Sequence, residues 1–139
     1  MRVAIIQKYV PHYRASLFNF ISQHTDIEVV VISGGHPGEE FSGLEVEREL
    51  YRTVKINTTR VGGLTYLHGV ISTLRSVEPD IAVIEVGFNI ANLFSVCLYL
   101  RGFGIPVIGW SKGRSESPGG GRSAIKTVYA RAVSSLVNA

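Results

Sequence analysis

Lys8, His12, Tyr13 and Arg14 crowd into one short segment directly behind the apolar run Val3-Ala4-Ile5-Ile6. A guanidinium suits bidentate binding of phosphate or carboxylate, and a lysine supplies a point-charge contact. Lys8, Tyr13 and Arg14 are therefore candidates for holding an anionic or hydroxyl-bearing ligand, with His12 as a candidate catalytic group beside them. Two further segments carry the same kind of chemistry. Glu85-Val86-Gly87 offers a carboxylate, and Trp110-Ser111-Lys112-Gly113-Arg114 offers two cations. Glu85 and Lys112 join His12 as catalytic candidates, and Arg114 joins the phosphate-binding set. Each has a plainer role open to it: His12 as a packing residue before a helix, Glu85 as the structural ion-pair partner of Lys112 or Lys8, and Lys112 and Arg114 as solvated loop cations. His24, His36 and His68 read as ordinary surface or half-buried histidines.

These segments matter because of the elements that carry them. The spacing predicts strands at Arg2–Gln7, Ile27–Ser33, Leu50–Asn57, Asp80–Val86 and Ile105–Trp110. Short, continuous apolar runs rich in β-branched residues belong to strands buried on both faces, as in parallel sheets. Helical patterns separate them. Tyr13–His24 is expected to turn Leu17, Phe20 and Ile21 inward, and Leu64–Val77 to turn Leu64, Leu67, Ile71 and Leu74 inward, ending at Glu78-Pro79. Phe88–Arg101 is apolar nearly all round and is expected to be the most buried helix, closed by Gly102 and Gly104. Arg122–Leu136 shows an apolar stripe of Ile125, Val128, Tyr129, Ala132, Val133 and Leu136 opposite Arg122, Lys126 and Arg131. Ser33–Val46 and Ser111–Gly121 are loops. Strand–helix alternation implies an α/β fold, a Rossmann-like parallel sheet with helices on both faces and right-handed crossovers. In such sheets ligands sit beyond the carboxyl ends of the strands, where all three segments should meet.

Composition bounds the function classes. The 139 residues make one domain, and 45% apolar with 18% charged residues excludes a disordered or collagen-like chain. The single cysteine, Cys97, excludes an internal disulfide framework and a Cys-based zinc site, and favours a reducing compartment. The opening residues do not form a secretory leader. The longest apolar stretch, Ile81 to Trp110, is broken by Glu85, Arg101 and Gly104-Ile105-Pro106, short of the roughly 20 residues a transmembrane helix needs. The formal charge of +3 concentrates after Lys112, where Lys112, Arg114, Arg122, Lys126 and Arg131 oppose Glu116 alone. That localised excess suggests an anionic partner. Gly119–Gly121 lacks the spacing of a dinucleotide or P-loop motif, and no metal-ligand cluster or Ser/His/Asp order stands out. The last helix finishes at Val137-Asn138-Ala139 where another strand is expected, so the chain reads as a domain of something longer.

Three stretches carry a resemblance: Ile5-Ile6-Gln7-Lys8-Tyr9-Val10-Pro11-His12-Tyr13-Arg14, Pro79-Asp80-Ile81-Ala82-Val83-Ile84-Glu85, and Gly104-Ile105-Pro106-Val107-Ile108-Gly109-Trp110-Ser111-Lys112-Gly113-Arg114. In this order, and over essentially the whole chain, the sequence resembles the N-terminal half of a retaining family-four glycosyltransferase of the GT-B architecture. The resemblance implies an acceptor-side domain spanning residues 1–139, facing a donor-binding C-terminal domain that is absent from this chain. It also implies a nucleotide-sugar donor held by that second domain, and a hydroxyl-bearing sugar or lipid-linked acceptor. His12, Tyr13 and Arg14 would line the cleft, with Glu85 and Lys112–Arg114 across from them. This half would not transfer sugar alone. Relatives often carry Trp-Gly-His-Gly where this chain has Trp110-Ser111-Lys112-Gly113.

No metal, cofactor or nucleic acid is called for. The expected location is cytoplasmic, with peripheral contact at the inner face of an anionic membrane as the variant in which the basic last helix rests on lipid. The alternative function is a stand-alone α/β module that binds an anion or a partner without catalysis. A receiver would need paired acidic residues after its first strand, and a flavodoxin a Ser/Thr-rich phosphate loop there; Gln7-Lys8 supplies neither.

Overall fold

A computed structural model describes residues 1–34, 50–61, 63–86, 90–110, 132–133 and 135–137, apart from the side chains of His12 and Val61. Strands β1 (Arg2–Gln7), β2 (Glu28–Gly34) and β3 (Arg52–Ile56) form the centre and one side of the sheet. A hairpin of β4 (Thr58–Val61) and β5 (Leu64–Leu67) follows, and then β6 (Ile81–Glu85) and β7 (Val107–Trp110) complete the other side. The five-stranded sheet runs β3-β2-β1-β6-β7, all parallel, with β1 at its centre. Helix α1 (His12–His24) follows β1, α2 (Val70–Val77) precedes β6, and α3 (Leu93–Gly102) joins β6 to β7.

The Rossmann-like expectation holds because the central strands alternate apolar residues onto two separate cores. Ala4, Ile6, Val30, Ile32, Ala82, Ile84 and Val107 face α2 and α3, which contribute Val70, Leu74, Val77, Leu93, Val96, Cys97 and Leu100. Ile5, Val29 and Val31 face the other way, onto Phe18 of α1 and onto Tyr51. Burial on both faces removes every polar alternative for these positions, which is why β1 and β2 read as unbroken apolar runs. Val133 is buried in the larger core, with Leu136 and Val137 packed beside it, so this part of the last stripe does pack on the domain. Arg122, Lys126 and Arg131 lie outside the described residues, as do the two expected loops except Ser33 and Gly34.

Three expectations need correction. First, α1 turns Phe18 into the core and leaves Leu17 and Phe20 exposed, at 43% and 58%, with only Ile21 packed inward of the expected trio. The inner stripe is Arg14, Phe18 and Ile21, spaced four and three residues apart on one helical face. A pattern of apolar residues alone passes over a stripe that begins with a charge. Second, Leu64 and Leu67 belong to the hairpin, and α2 starts only at Val70. Gly63 at φ 82° lies between the hairpin strands, and Gly69 at φ 70° separates β5 from α2, so left-handed glycines break the helical period. Third, α3 starts at Leu93 and is not buried all round, because Phe94 and Leu98 are exposed on its outer side.

The hairpin is fastened at both ends. A Cβ on Gly34 would collide with Thr58 Cγ2, so glycine there lets β4 begin against the carboxyl end of β2. The side chain of Asn92 then holds β5: its Oδ1 accepts from Leu67 N at 3.1 Å and its Nδ2 donates to Leu67 O at 2.8 Å. No described helix is long and apolar enough to cross a membrane.

Candidate functional site

Three neighbouring strands end in polar or aromatic residues that share one face. Gln7 closes β1, Glu85 closes β6 and Trp110 closes β7. Ile6 pairs with Ile84, which puts Gln7 and Glu85 one step further along in the same register, and Glu85 pairs with Trp110. By alternation, Gln7 and Glu85 lie on the face covered by α1. Into this row reaches Arg14, from the first turn of α1.

Arg14 is 3% exposed. Its Nη1 donates to Gln7 Oε1 at 2.8 Å, and its Nη2 donates to Glu85 Oε1 at 3.3 Å. The guanidinium carbon stands 4.3 Å from the centroid of the Trp110 ring, which packs edge-to-face with Phe18, ring centroids 6.3 Å apart. A buried guanidinium needs this combination, since carboxylate, amide and aromatic face together replace the water it has lost. Among the described residues, two buried donors of this cluster nevertheless lack a partner, Arg14 Nε and Gln7 Nε2. Glu85 is the better-exposed member of the ion pair, with 18% of its side-chain surface accessible against 3% for Arg14.

Arg14 and Glu85 therefore meet directly, as an ion pair. Tyr13 stands beside them, 62% exposed, its ring 5.8 Å from the Arg14 guanidinium carbon. Lys8 follows β1 and is half-buried, with Nζ 6.0 Å from the Tyr9 ring. His12 opens α1 between these residues in sequence, and its side chain is outside those described. Lys112 and Arg114 also lie outside the described residues, as does His36. His24 Nδ1 lies 3.0 Å from Phe20 O and stacks on that ring, while His68 Nε2 lies 2.7 Å from Thr59 Oγ1.

Gln7 and Trp110 are the members of the cluster that sequence reasoning passed over as site residues. The signal was present in both: a lone amide at the end of an apolar strand, and the chain's single tryptophan at the end of another. What the cluster can do chemically follows from exposure. A carboxylate held at the rim of the sheet can accept a hydrogen bond from a hydroxyl, and a half-exposed indole beside it offers an apolar surface to a ring. Among the described residues, no three His, Cys, Asp or Glu side chains group closely enough to hold a metal ion.

No protein-family profile matches the sequence, and no curated protein matches it either. Solved structures do resemble the fold. UDP-GlcNAc 2-epimerase from Neisseria meningitidis, bound to UDP-GlcNAc, superposes at a TM-score of 0.60 with 15% identity over 99% of this chain. Phytolacca americana UGT2, complexed with UDP-2fluoro-glucose and pterostilbene, gives a TM-score of 0.52 with 12% identity, covering 81% of this chain and 31% of that one. A dodecameric FMN-dependent UbiX-like decarboxylase from Escherichia coli O157:H7 gives 0.54 with 11% identity, covering 98% of this chain and 76% of that one. The chain spans 39% of the length of the epimerase. At these identities the likeness is one of fold, a Rossmann-like sheet of the kind found in one half of a GT-B-type enzyme.

Proposed function

We propose that this chain is the acceptor-side half of a retaining GT-B glycosyltransferase of the family-four type, acting together with a donor-binding half that holds a nucleotide-sugar. The observation that carries this reading is the row formed by Gln7, Glu85 and Trp110 with Arg14, at the carboxyl edge of a sheet whose fold matches nucleotide-sugar enzymes. In the reaction, the acceptor oxygen bonds to the anomeric carbon while the bond from that carbon to the donor phosphate oxygen breaks. The nucleoside diphosphate leaves with the electron pair, the hydroxyl proton passes to a base or to solvent, and the anomeric configuration is retained.

On this chain, Glu85 and His12 are the groups proposed to meet the acceptor, a hydroxyl-bearing sugar or lipid-linked intermediate. Tyr13 and Lys8 flank it, while Lys112 and Arg114 offset phosphate charge on the acceptor or on the leaving group. Transfer assays on the intact protein with a panel of nucleotide-sugars test this reading. Activity that falls at least about tenfold in both His12→Ala and Glu85→Gln, with the circular dichroism unchanged, supports it. Absence of transfer from every donor overturns it. The coverage of 76% of the decarboxylase chain favours a second reading in that case, a stand-alone binding module that uses the same edge of the sheet.

A further inference from the structure

We infer that Arg14 is a positioning residue that acts through Glu85, and that Glu85 is the group this cluster presents to the acceptor hydroxyl; the inference rests on the transferase proposal. An arginine in an anion site offers a free edge of its guanidinium to the ligand. Arg14 offers none. Nη1 is committed to Gln7 and Nη2 to Glu85, Nε is buried, and the whole residue is 3% exposed. An incoming phosphate would have to pull the guanidinium off Glu85 and out from beside Trp110.

The same contacts define where the carboxylate stands. Arg14 comes from α1, Gln7 from β1, Glu85 from β6 and Trp110 from β7, so four elements fix one carboxylate at the rim. Packing alone does not account for the arrangement. A buried guanidinium whose Nε lacks a partner, beside a Gln7 Nε2 that also lacks one, is often no more stable than well-packed apolar residues of similar volume. The cost makes sense if the product is an oriented, partly exposed acceptor of hydrogen bonds. Such a group aligns the hydroxyl for attack, and an ångström of misplacement there is expensive in rate.

The test uses the intact protein with the acceptor concentration varied. Arg14→Met and Glu85→Gln should each lower kcat by about 10- to 100-fold while the acceptor KM moves less than about threefold. The double variant should be no slower than Glu85→Gln alone, and Arg14→Lys should recover part of the loss. A rise in KM at unchanged kcat, or losses that multiply in the double variant, overturns the assignment. A second readout does not depend on turnover. The Arg14 Nε–H resonance should shift or broaden in Glu85→Gln and stay in place when inorganic pyrophosphate is added to the wild-type protein. The opposite pattern makes Arg14 an anion ligand. If the wild-type protein transfers no sugar, the transferase proposal fails, and this resonance still decides whether Arg14 serves Glu85.

Discussion

Cys97 sits on the inner side of α3, fully buried among Val96, Leu100 and the sheet residues they cover. Burial penalises the thiolate and pushes the thiol up to about 11 from its ordinary 9.0. Between those two values the unfolded chain has released this proton and the folded one still holds it, so unfolding releases a proton and stability falls as pH rises. The contribution is complete below pH 9.0 and is lost by about 11. Urea midpoints followed across that window should decline more steeply for wild-type protein than for Cys97→Ala, with a difference of ~2 kcal/mol between its ends. Equal slopes would mean that the thiol is hydrated in the folded state. A single buried sulfur thus reports whether the α3 core is dry.

Helix α1 carries two apolar stripes and buries only one. Phe18 is 0% exposed and packs edge-to-face with Tyr51, ring centroids 5.4 Å apart, whereas Phe20 is 58% exposed and stacks on His24 at 4.3 Å. Phe18→Ala should cost about 3–5 kcal/mol, because it opens a cavity between the helix and β1–β2. Phe20→Ala should cost no more than about 0.5 kcal/mol, as a surface change. Urea midpoints of the two variants check the orientation of the helix, and the reverse ranking would restore the stripe of Leu17 and Phe20 as the inner one. What rotates the helix is Arg14. Its ion pair with Glu85 and its place beside Trp110 lie on the face that also carries Phe18, so the polar cluster and the apolar contact act together.

Across the molecule, the two cores share one sheet and cannot melt independently of it, because β1, β2 and β6 contribute to both. The chain on its own is expected to unfold in one transition. Trp110, the only tryptophan, reports the smaller core through its contact with Phe18, and far-UV circular dichroism reports the whole. Coincident curves are the expected result, and separated curves would show that the α1 layer opens alone. The same preparation should transfer no sugar from donors that the intact protein uses, since the proposed donor-binding half is not part of it.

Much of this protein is settled by local pattern. The apolar runs of β1, β2 and β6, the breaks after them, and the crossover lengths are enough to specify a parallel sheet, because a strand buried on both faces tolerates few other residues. From that, the carboxyl edge follows as the place for Lys8, Tyr13, Arg14 and Glu85. Other features rest on contacts between residues distant in the chain. Leu64 and Leu67 match a helical period, yet pairing with Thr58 and Val61 and the grip of Asn92 make them a strand. Gln7, Arg14, Glu85 and Trp110 are spread over most of the chain, and only the register of β1, β6 and β7 brings them together. Local periodicity reads which side of an element is apolar; it carries no information about which of two apolar sides a buried charge will choose. That choice is made by desolvation, since a guanidinium turned inward must find its carboxylate, and the partner is fixed only when the sheet is complete.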